Sequence, residues 1–247
     1  MFTGLQYRFL RRAFPREPTA MSGAAYSGRS KLRVLIGDAL YERLRDVTVL
    51  DFGCGYGEQA AEIALIARSV HGIDIVPRYI EAARERAKEA GLTQKCTFGP
   101  KAPSSPVDVV VSLDSFEHFG DPVAILQAMY DVLRPGGILI TSFGPTWYHP
   151  LGGHLFSVFP WAHLLFGEAA LMRWRSDIRS DGATRFSEVE GGLNQMTIAR
   201  FEHLIKRTKF RVQLLETVPI RRLRRIHSRV TREFTTATVR CVLERPV

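Results

Sequence analysis

Between Val49 and Gly57 the sequence reads Val-Leu-Asp-Phe-Gly-Cys-Gly-Tyr-Gly, a short apolar run that ends in an acid and then in glycine at every second position. A strand entering such a loop brings backbone close to a ligand, because glycine has no Cβ and allows a sharp turn. Glu58 to Arg68 has good helix formers and apolar residues at helical spacing, so the loop is expected to open a helix. A dinucleotide fingerprint, G-x-G-x-x-G, would need its third glycine at position 58, where Glu58 stands; here it is Gly57. A carboxylate at the helix mouth also repels a pyrophosphate. The loop therefore suits a nucleoside-sized ligand that carries amino or hydroxyl donors and no phosphate.

Ser69 to Ile75 reads as a second short strand ending at Asp74, seventeen residues after Gly57. An acid at that strand end can accept hydrogen bonds from both hydroxyls of a ribose. Asp51-Phe52-Gly53-Cys54-Gly55-Tyr56-Gly57 followed by Asp74 resembles the first two motifs of the class I S-adenosylmethionine (SAM) dependent methyltransferases. Val107 to Asp114 looks like that family's fourth strand, Glu117-His118 like its "EH" signature, and Leu133-Arg134-Pro135-Gly136-Gly137 like its L-x-PGG turn into the fifth strand. These motifs span about residues 47 to 143 in the expected order.

The resemblance implies an α/β fold: a Rossmann-like, seven-stranded, mostly parallel sheet with helices on both faces and an antiparallel last strand. Helices are expected over Lys31 to Leu44, from Pro77 to Ala90, and from Asp121-Pro122 to about Leu133. Cys96 to Phe98 reads as a third strand, and Arg211 to Val218 and Thr236 to Glu244 as the sixth and seventh. Residues 1–30 are expected as an N-terminal tail and 31–247 as a single domain, with 144–196 inserted as a lid over the acceptor pocket.

The resemblance also assigns roles. Asp51 and the backbone around Gly53, Cys54, Gly55 and Gly57 would hold the methionine portion of SAM, Asp74 the ribose, and Ile75 the adenine. Leu113 and Asp114 would lie beside the sulfonium, where ligands of open α/β sheets collect. The acid that family members often place after the third strand is missing, since the chain reads Gly99-Pro100-Lys101-Ala102. A sulfonium methyl is already activated, so holding a nucleophile in line about 3 Å from it supplies most of the catalysis, and a base helps when the acceptor is a hydroxyl. His118, and His149 or His154 in the segment after the fifth strand, compete for that role. Gly152-Gly153-His154, ringed by Trp147, Tyr148, Phe156, Phe159 and Trp161, is the expected contact for an apolar or aromatic acceptor. Asp114-Ser115-Phe116-Glu117-His118 is similar to the E-x-x-E-H triad that binds a divalent metal in ubiquinone-pathway O-methyltransferases and small-RNA 2′-O-methyltransferases. Asp114 replaces the first glutamate. With Glu117, His118 and a distant histidine such as His154, this segment could hold Mg²⁺ or Mn²⁺ and polarise a hydroxyl. The Glu-His pair also occurs widely in family members without metal, and no metal is assigned to the expected site.

Composition narrows the partners. With 247 residues, 45% hydrophobic, the chain can bury one sizeable core. Cys54, Cys96 and Cys241 have no paired spacing, which suits a cytoplasmic protein without disulfides or a cysteine-based zinc site. Met1 to Pro18 lacks the apolar region of a secretory signal; it is basic and studded with Phe2, Leu5, Phe9 and Phe14, and is read as a tail or docking helix with a weak membrane-surface contact. Leu151 to Met172, interrupted by His154, Pro160, His163 and Glu168, is not expected to cross a bilayer. The net charge is +9, and between Lys206 and Arg232 ten Lys or Arg face the single acid Glu216. The reading is thus a methyltransferase acting on an oxygen of a small, partly apolar metabolite. A nucleic-acid or protein acceptor is the second reading, disfavoured for nucleic acid by the lack of aromatics among the arginines. A non-catalytic SAM-binding module is the third. No motif names the acceptor or the oligomeric state.

Overall fold

The computed structural model describes residues 2–16, 28–189 and 191–247. In chain order the helices are α1 (Phe2–Ala13), α2 (Lys31–Ile36), α3 (Asp38–Glu42), α4 (Glu58–Ala64), α5 (Pro77–Glu89), α6 (Pro122–Val132), α7 (Ala162–Leu165), α8 (Glu168–Ser176), α9 (Ile198–Ile205) and α10 (Arg232–Thr235). The strands are β1 (Thr48–Phe52), β2 (Ser69–Ile73), β3 (Cys96–Gly99), β4 (Val107–Leu113), β5 (Leu133–Phe143), β6 (Arg211–Pro219) and β7 (Thr236–Glu244). They form one sheet in the order β3-β2-β1-β4-β5-β7-β6. β1 to β5 pair in parallel, and β7 runs antiparallel between β5 and β6.

Strand residues alternate between two cores. Val49, Val109, Val111, Ile138 and Ile140 pack on the face covered by α2 to α5. Leu50, Val110, Leu139, Cys241 and Leu243 pack on the face covered by α6 and α9. Both faces are dry, which is why the parallel strands read as unbroken apolar runs. Asp108 ties three strands together: it accepts hydrogen bonds from the Thr48 amide at 2.7 Å and from Arg134 Nε at 2.6 Å.

One local expectation differs from the structure, and of the two readings of the N-terminal segment, tail or docking helix, the structure shows the helix. The helix expected over Lys31 to Leu44 is broken at Gly37, whose φ of 83° no helix tolerates. Arg240 of β7 stabilises that break by donating from Nε to the Leu35 carbonyl at 2.6 Å and from Nη2 to Val34 at 2.7 Å. The stretch expected as an N-terminal tail contains α1, whose Tyr7 and Leu10 are buried against Leu171 and Trp174 of α8 in a third cluster. Residues 17–27 of that stretch lie outside the described residues. Among the described residues, no helix is long and apolar enough to cross a membrane.

Candidate active site

Parallel pairing sends the ends of β1, β2, β4 and β5 to one edge, and the candidate residues gather there. Gly53, Gly55 and Gly57 all have positive φ. Gly57 also has no room for a side chain: a Cβ would stand 2.8 Å from Ala83 Cβ and 3.0 Å from Phe98. The loop is tied to β2 by the Gly53 and Cys54 amides, which both donate to the Ile73 carbonyl at 2.9 Å. Asp74 completes the tie, accepting from the Gly55 amide at 3.0 Å and the Val76 amide at 2.9 Å. Cys54 is buried as a small filler, and burial pushes its thiol up, the state of an inert cysteine.

Asp51 is 3% exposed, and its Oδ2 has no partner. Burial, followed by the charge of Asp74, pushes its carboxyl up to about 7. A ligand ammonium would supply the missing partner, so the residues present fit the amino-acid end of SAM. Ile75 stands 94% exposed beside Asp74, free to be covered by a flat base.

At the end of β4, Leu113 is half-buried and Asp114 adopts φ 48°. The Asp114 carboxylate is held by Lys31 Nζ of α2 at 2.8 Å. Ser115 lies over the glycine loop, with its Oγ 3.0 Å from where a Cβ on Gly53 would be. Glu117 is buried with Oε2 unpartnered; burial and then Asp114 push its carboxyl up to about 8. His118 Nδ1 sits 2.8 Å from the Gly192 carbonyl, which can only accept, so Nδ1 carries a proton and Nε2 is the nitrogen that holds the lone pair in the neutral ring. His154 lies opposite, with ring centroids 5.4 Å apart. Its Nδ1 is buried without a partner, and burial, then His118, pull the imidazole down to about 4.

Glu117, His118 and His154 each offer a ligand atom, all within 4.8 Å of one another. The sequence assigns no metal, though Glu117, His118 and His154 are among the residues that could hold one; the structure brings this carboxylate and these two imidazoles together, a set suited to a divalent transition-metal ion. Asp114, the sequence counterpart of the triad's first glutamate, is not in that set.

A cavity of about 440 Å³ lies on the histidine side of this edge, within the size range of small-molecule sites; the glycine loop, Asp51, Asp74, Ile75, Leu113 and Asp114 are not part of its lining. Val76 and Tyr79 line it on the Asp74 side, and His118, His154 and Phe156 line it further in. Of the five aromatics expected around the acceptor, only Phe156 lines the cavity. Trp147 packs on His163 and Phe186, Phe159 on Phe14, and Tyr148 on Phe234, while Trp161 donates to the Tyr148 carbonyl. Gly152 and Gly153 are buried packing positions where a Cβ would overlap the Trp147 carbonyl and the His163 ring. His149 accepts from the Leu151 amide at 2.9 Å and serves its own loop.

Residues 50–141 match the family model described as "Methyltransferase domain". Residues 50–141 thus form a SAM-dependent methyltransferase domain. A ubiquinone biosynthesis O-methyltransferase of Cereibacter sphaeroides is 36% identical over 106 residues, which are 41% of this chain and 42% of that relative. The chain thus matches about two fifths of the length of such curated relatives. Among solved structures, a SAM-dependent methyltransferase from Methanosarcina mazei shares the fold with TM-score 0.56 at 20% identity, covering 85% of this chain and 98% of that one. Magnesium protoporphyrin IX methyltransferase from Synechocystis, solved with bound SAH, shares it with TM-score 0.53 at 18% identity, covering 84% and 78%.

Within residues 50–196, sequence reasoning missed several positioning residues. Asn194 donates from Nδ2 to the Phe116 carbonyl at 2.6 Å and to Phe119 at 2.8 Å, and its amide donates to the Glu117 carbonyl at 2.9 Å. It thereby clamps the segment that carries Glu117 and His118. Tyr79, Arg175, Gly191 and Gly192 at the cavity were also missed, because no local pattern distinguishes them from surface residues.

Proposed function

We propose that the chain transfers a methyl group from SAM to an oxygen of a small, partly apolar acceptor. The observation that carries this is the cavity lined by His118, His154 and Phe156 and, on the segment just after Asp74, by Val76 and Tyr79. SAM would supply an activated methyl on sulfur. Asp51 binds the ammonium of the methionine portion and Asp74 accepts from the ribose hydroxyls, while Gly53, Cys54, Gly55 and Gly57 let the backbone approach. Ile75 covers the adenine, and Leu113 and Asp114 border the sulfonium. His118, proton on Nδ1, accepts the acceptor's hydroxyl proton at Nε2. His154 stays neutral but is a weak proton acceptor, so of the two imidazoles expected from the sequence His118 is the base. Phe156, Leu155 and Leu193 provide an apolar wall for the acceptor. The named O-methyltransferase relatives support oxygen over nitrogen or carbon. Three free, buried cysteines support a reducing, cytoplasmic setting.

The Glu117–His118–His154 cluster favours a second reading of the same reaction. These residues would hold a divalent cation, which would polarise the acceptor hydroxyl and lower its pKa. The test is conversion of SAM to S-adenosylhomocysteine over a panel of phenols, catechols, quinols and RNA, before and after EDTA treatment with Mg²⁺ or Mn²⁺ added back. Turnover of a phenolic acceptor is expected. Loss with EDTA and rescue by the ion selects the metal reading over the base reading. Turnover of RNA alone, or SAM binding with no turnover on any acceptor, overturns the proposal.

A further inference from the structure

The arginine-rich stretch that dominates the net charge is left unused by the site. In the structure it follows β6 and precedes β7, at the same edge of the sheet as the candidate site. Arg211 and Arg232 are neutralised by Glu244 and Glu202. Arg221, Arg222, Arg224, Arg225 and Arg229 are exposed, and among the described residues no carboxylate pairs with any of them. Interleaved with them are exposed apolar side chains: Ile226, Val230 (90% exposed) and Phe234. The arginines are solvated at no cost, but exposed apolar side chains gathered among them mark an interaction surface.

The same combination recurs on α1. Tyr7 and Leu10 face inward onto the lid, whereas Phe2, Leu5 and Phe9, at helical spacing, share an exposed face. Exposed Leu165 of α7 extends it, held there by the Gln6 side chain, which hydrogen-bonds the Leu165 carbonyl and the Gly167 amide. Arg8 and Arg12 flank this face, and residues 2–16 contain four arginines and no acid. The two patches connect through the lid: Phe234 packs on Tyr148, Trp161 donates to the Tyr148 carbonyl, and Trp161 caps α7.

We infer that α1, α7 and the Arg221–Phe234 connection form one docking surface for an anionic lipid bilayer. Charge complementarity selects this occupant. A second copy would set arginine against arginine, and an RNA would cover the cations but not Ile226, Val230 or Phe2. An anionic bilayer offers headgroups for the guanidinium groups and an acyl boundary for the apolar side chains.

The experiment is co-sedimentation of the full chain with vesicles, without SAM or acceptor, so its outcome is independent of the methyl-transfer reading. Vesicles of phosphatidylcholine alone are compared with phosphatidylcholine mixed with phosphatidylglycerol, at low and high salt. Binding is expected only to the anionic vesicles and weakened by salt. At roughly fivefold in partition per arginine, the combined Arg221→Gln, Arg222→Gln, Arg224→Gln and Arg225→Gln variant is expected to lose more than about a hundredfold. Phe2→Ser with Phe9→Ser is expected to lose at least ~10-fold. Circular dichroism and thermal melting verify that both variants remain folded. Equal binding to neutral and anionic vesicles, no loss in either variant, a dimer in solution that the phenylalanine changes abolish, or binding to poly(U) in place of vesicles would each overturn the inference.

Discussion

If Asp51 receives the ammonium of SAM, cofactor affinity must depend on pH in a way the structure sets. Before binding, burial and the charge of Asp74 place the Asp51 carboxyl at about 7 in place of its ordinary 3.8. Pairing with an ammonium requires the carboxylate, so below pH 7 binding must first remove a proton. Each tenfold step in proton affinity is worth about 1.4 kcal/mol, so at pH 5 ionising Asp51 costs about 2.7 kcal/mol and weakens binding about a hundredfold. The apparent Kd of SAM, measured by titration calorimetry or fluorescence between pH 5 and pH 7, is expected to fall tenfold per pH unit and level off above. The ligand's own amino group, with a pKa of about 8, stays protonated across this window. Asp51→Asn should bind weakly and show no slope, and Asp74→Asn should move the break to lower pH by removing the neighbouring charge. Stability must change in the opposite sense. An acid whose pKa is raised on folding contributes most below its unfolded value and loses that contribution as pH climbs through the folded one. Between pH 4 and pH 7 Asp51 therefore costs the ligand-free protein up to about 4 kcal/mol. At pH 8 the ligand-free Asp51→Asn protein is expected to melt higher than the parent while binding SAM worse. A flat Kd profile in the parent, or an Asp51→Asn protein that binds SAM normally, would refute the assignment of Asp51.

Gly57→Ala combines a φ of 73° with a Cβ placed against Ala83 and Phe98; a loss of about 1–3 kcal/mol is expected in denaturant unfolding, together with weaker SAM binding. Asn194→Ala leaves the Phe116 and Phe119 carbonyls without their donor; turnover should fall with little change in SAM Kd, and stability by about 1–3 kcal/mol. Glu117→Gln separates the two readings of the reaction: under the metal reading, activity should fall and no longer respond to added Mg²⁺ or Mn²⁺. His163→Ala removes the bond from Nε2 to the Trp147 carbonyl, and the lid helix α8 should then exchange its amide hydrogens faster while β1 and β4 do not.

The sheet was legible because its signals are local. Glycine at 53, 55 and 57, Pro77, Asp121-Pro122 and Pro135-Gly136-Gly137 each restrict the backbone within a few residues, and the strands between them are apolar on both faces. The break at Gly37 was not legible, because a single glycine within a helical pattern is ambiguous until Arg240, some two hundred residues later, occupies the carbonyls it exposes. The lid aromatics misled for a related reason. A run containing Trp147, Tyr148, Phe159 and Trp161 looks like an acceptor wall, yet Trp147, Tyr148 and Phe159 pack on His163, Phe234 and Phe14, and Trp161 donates to the Tyr148 carbonyl.

By itself the sequence determined the order of the strands and of the helices after β1, β2 and β4, the glycine loop with Asp51 and Asp74 at strand ends, and the surplus of arginine after β6. All of these follow from short-range backbone preferences and composition. Only the tertiary structure decided that Glu117, His118 and His154 converge, that Asp114 turns to Lys31, and that Asn194 and Gly192 fix the loop between them. Those outcomes depend on how residues 191–194 pack against the segment after β4. Contacts across such distances in sequence are set by packing and burial, which leave no periodic trace in the chain.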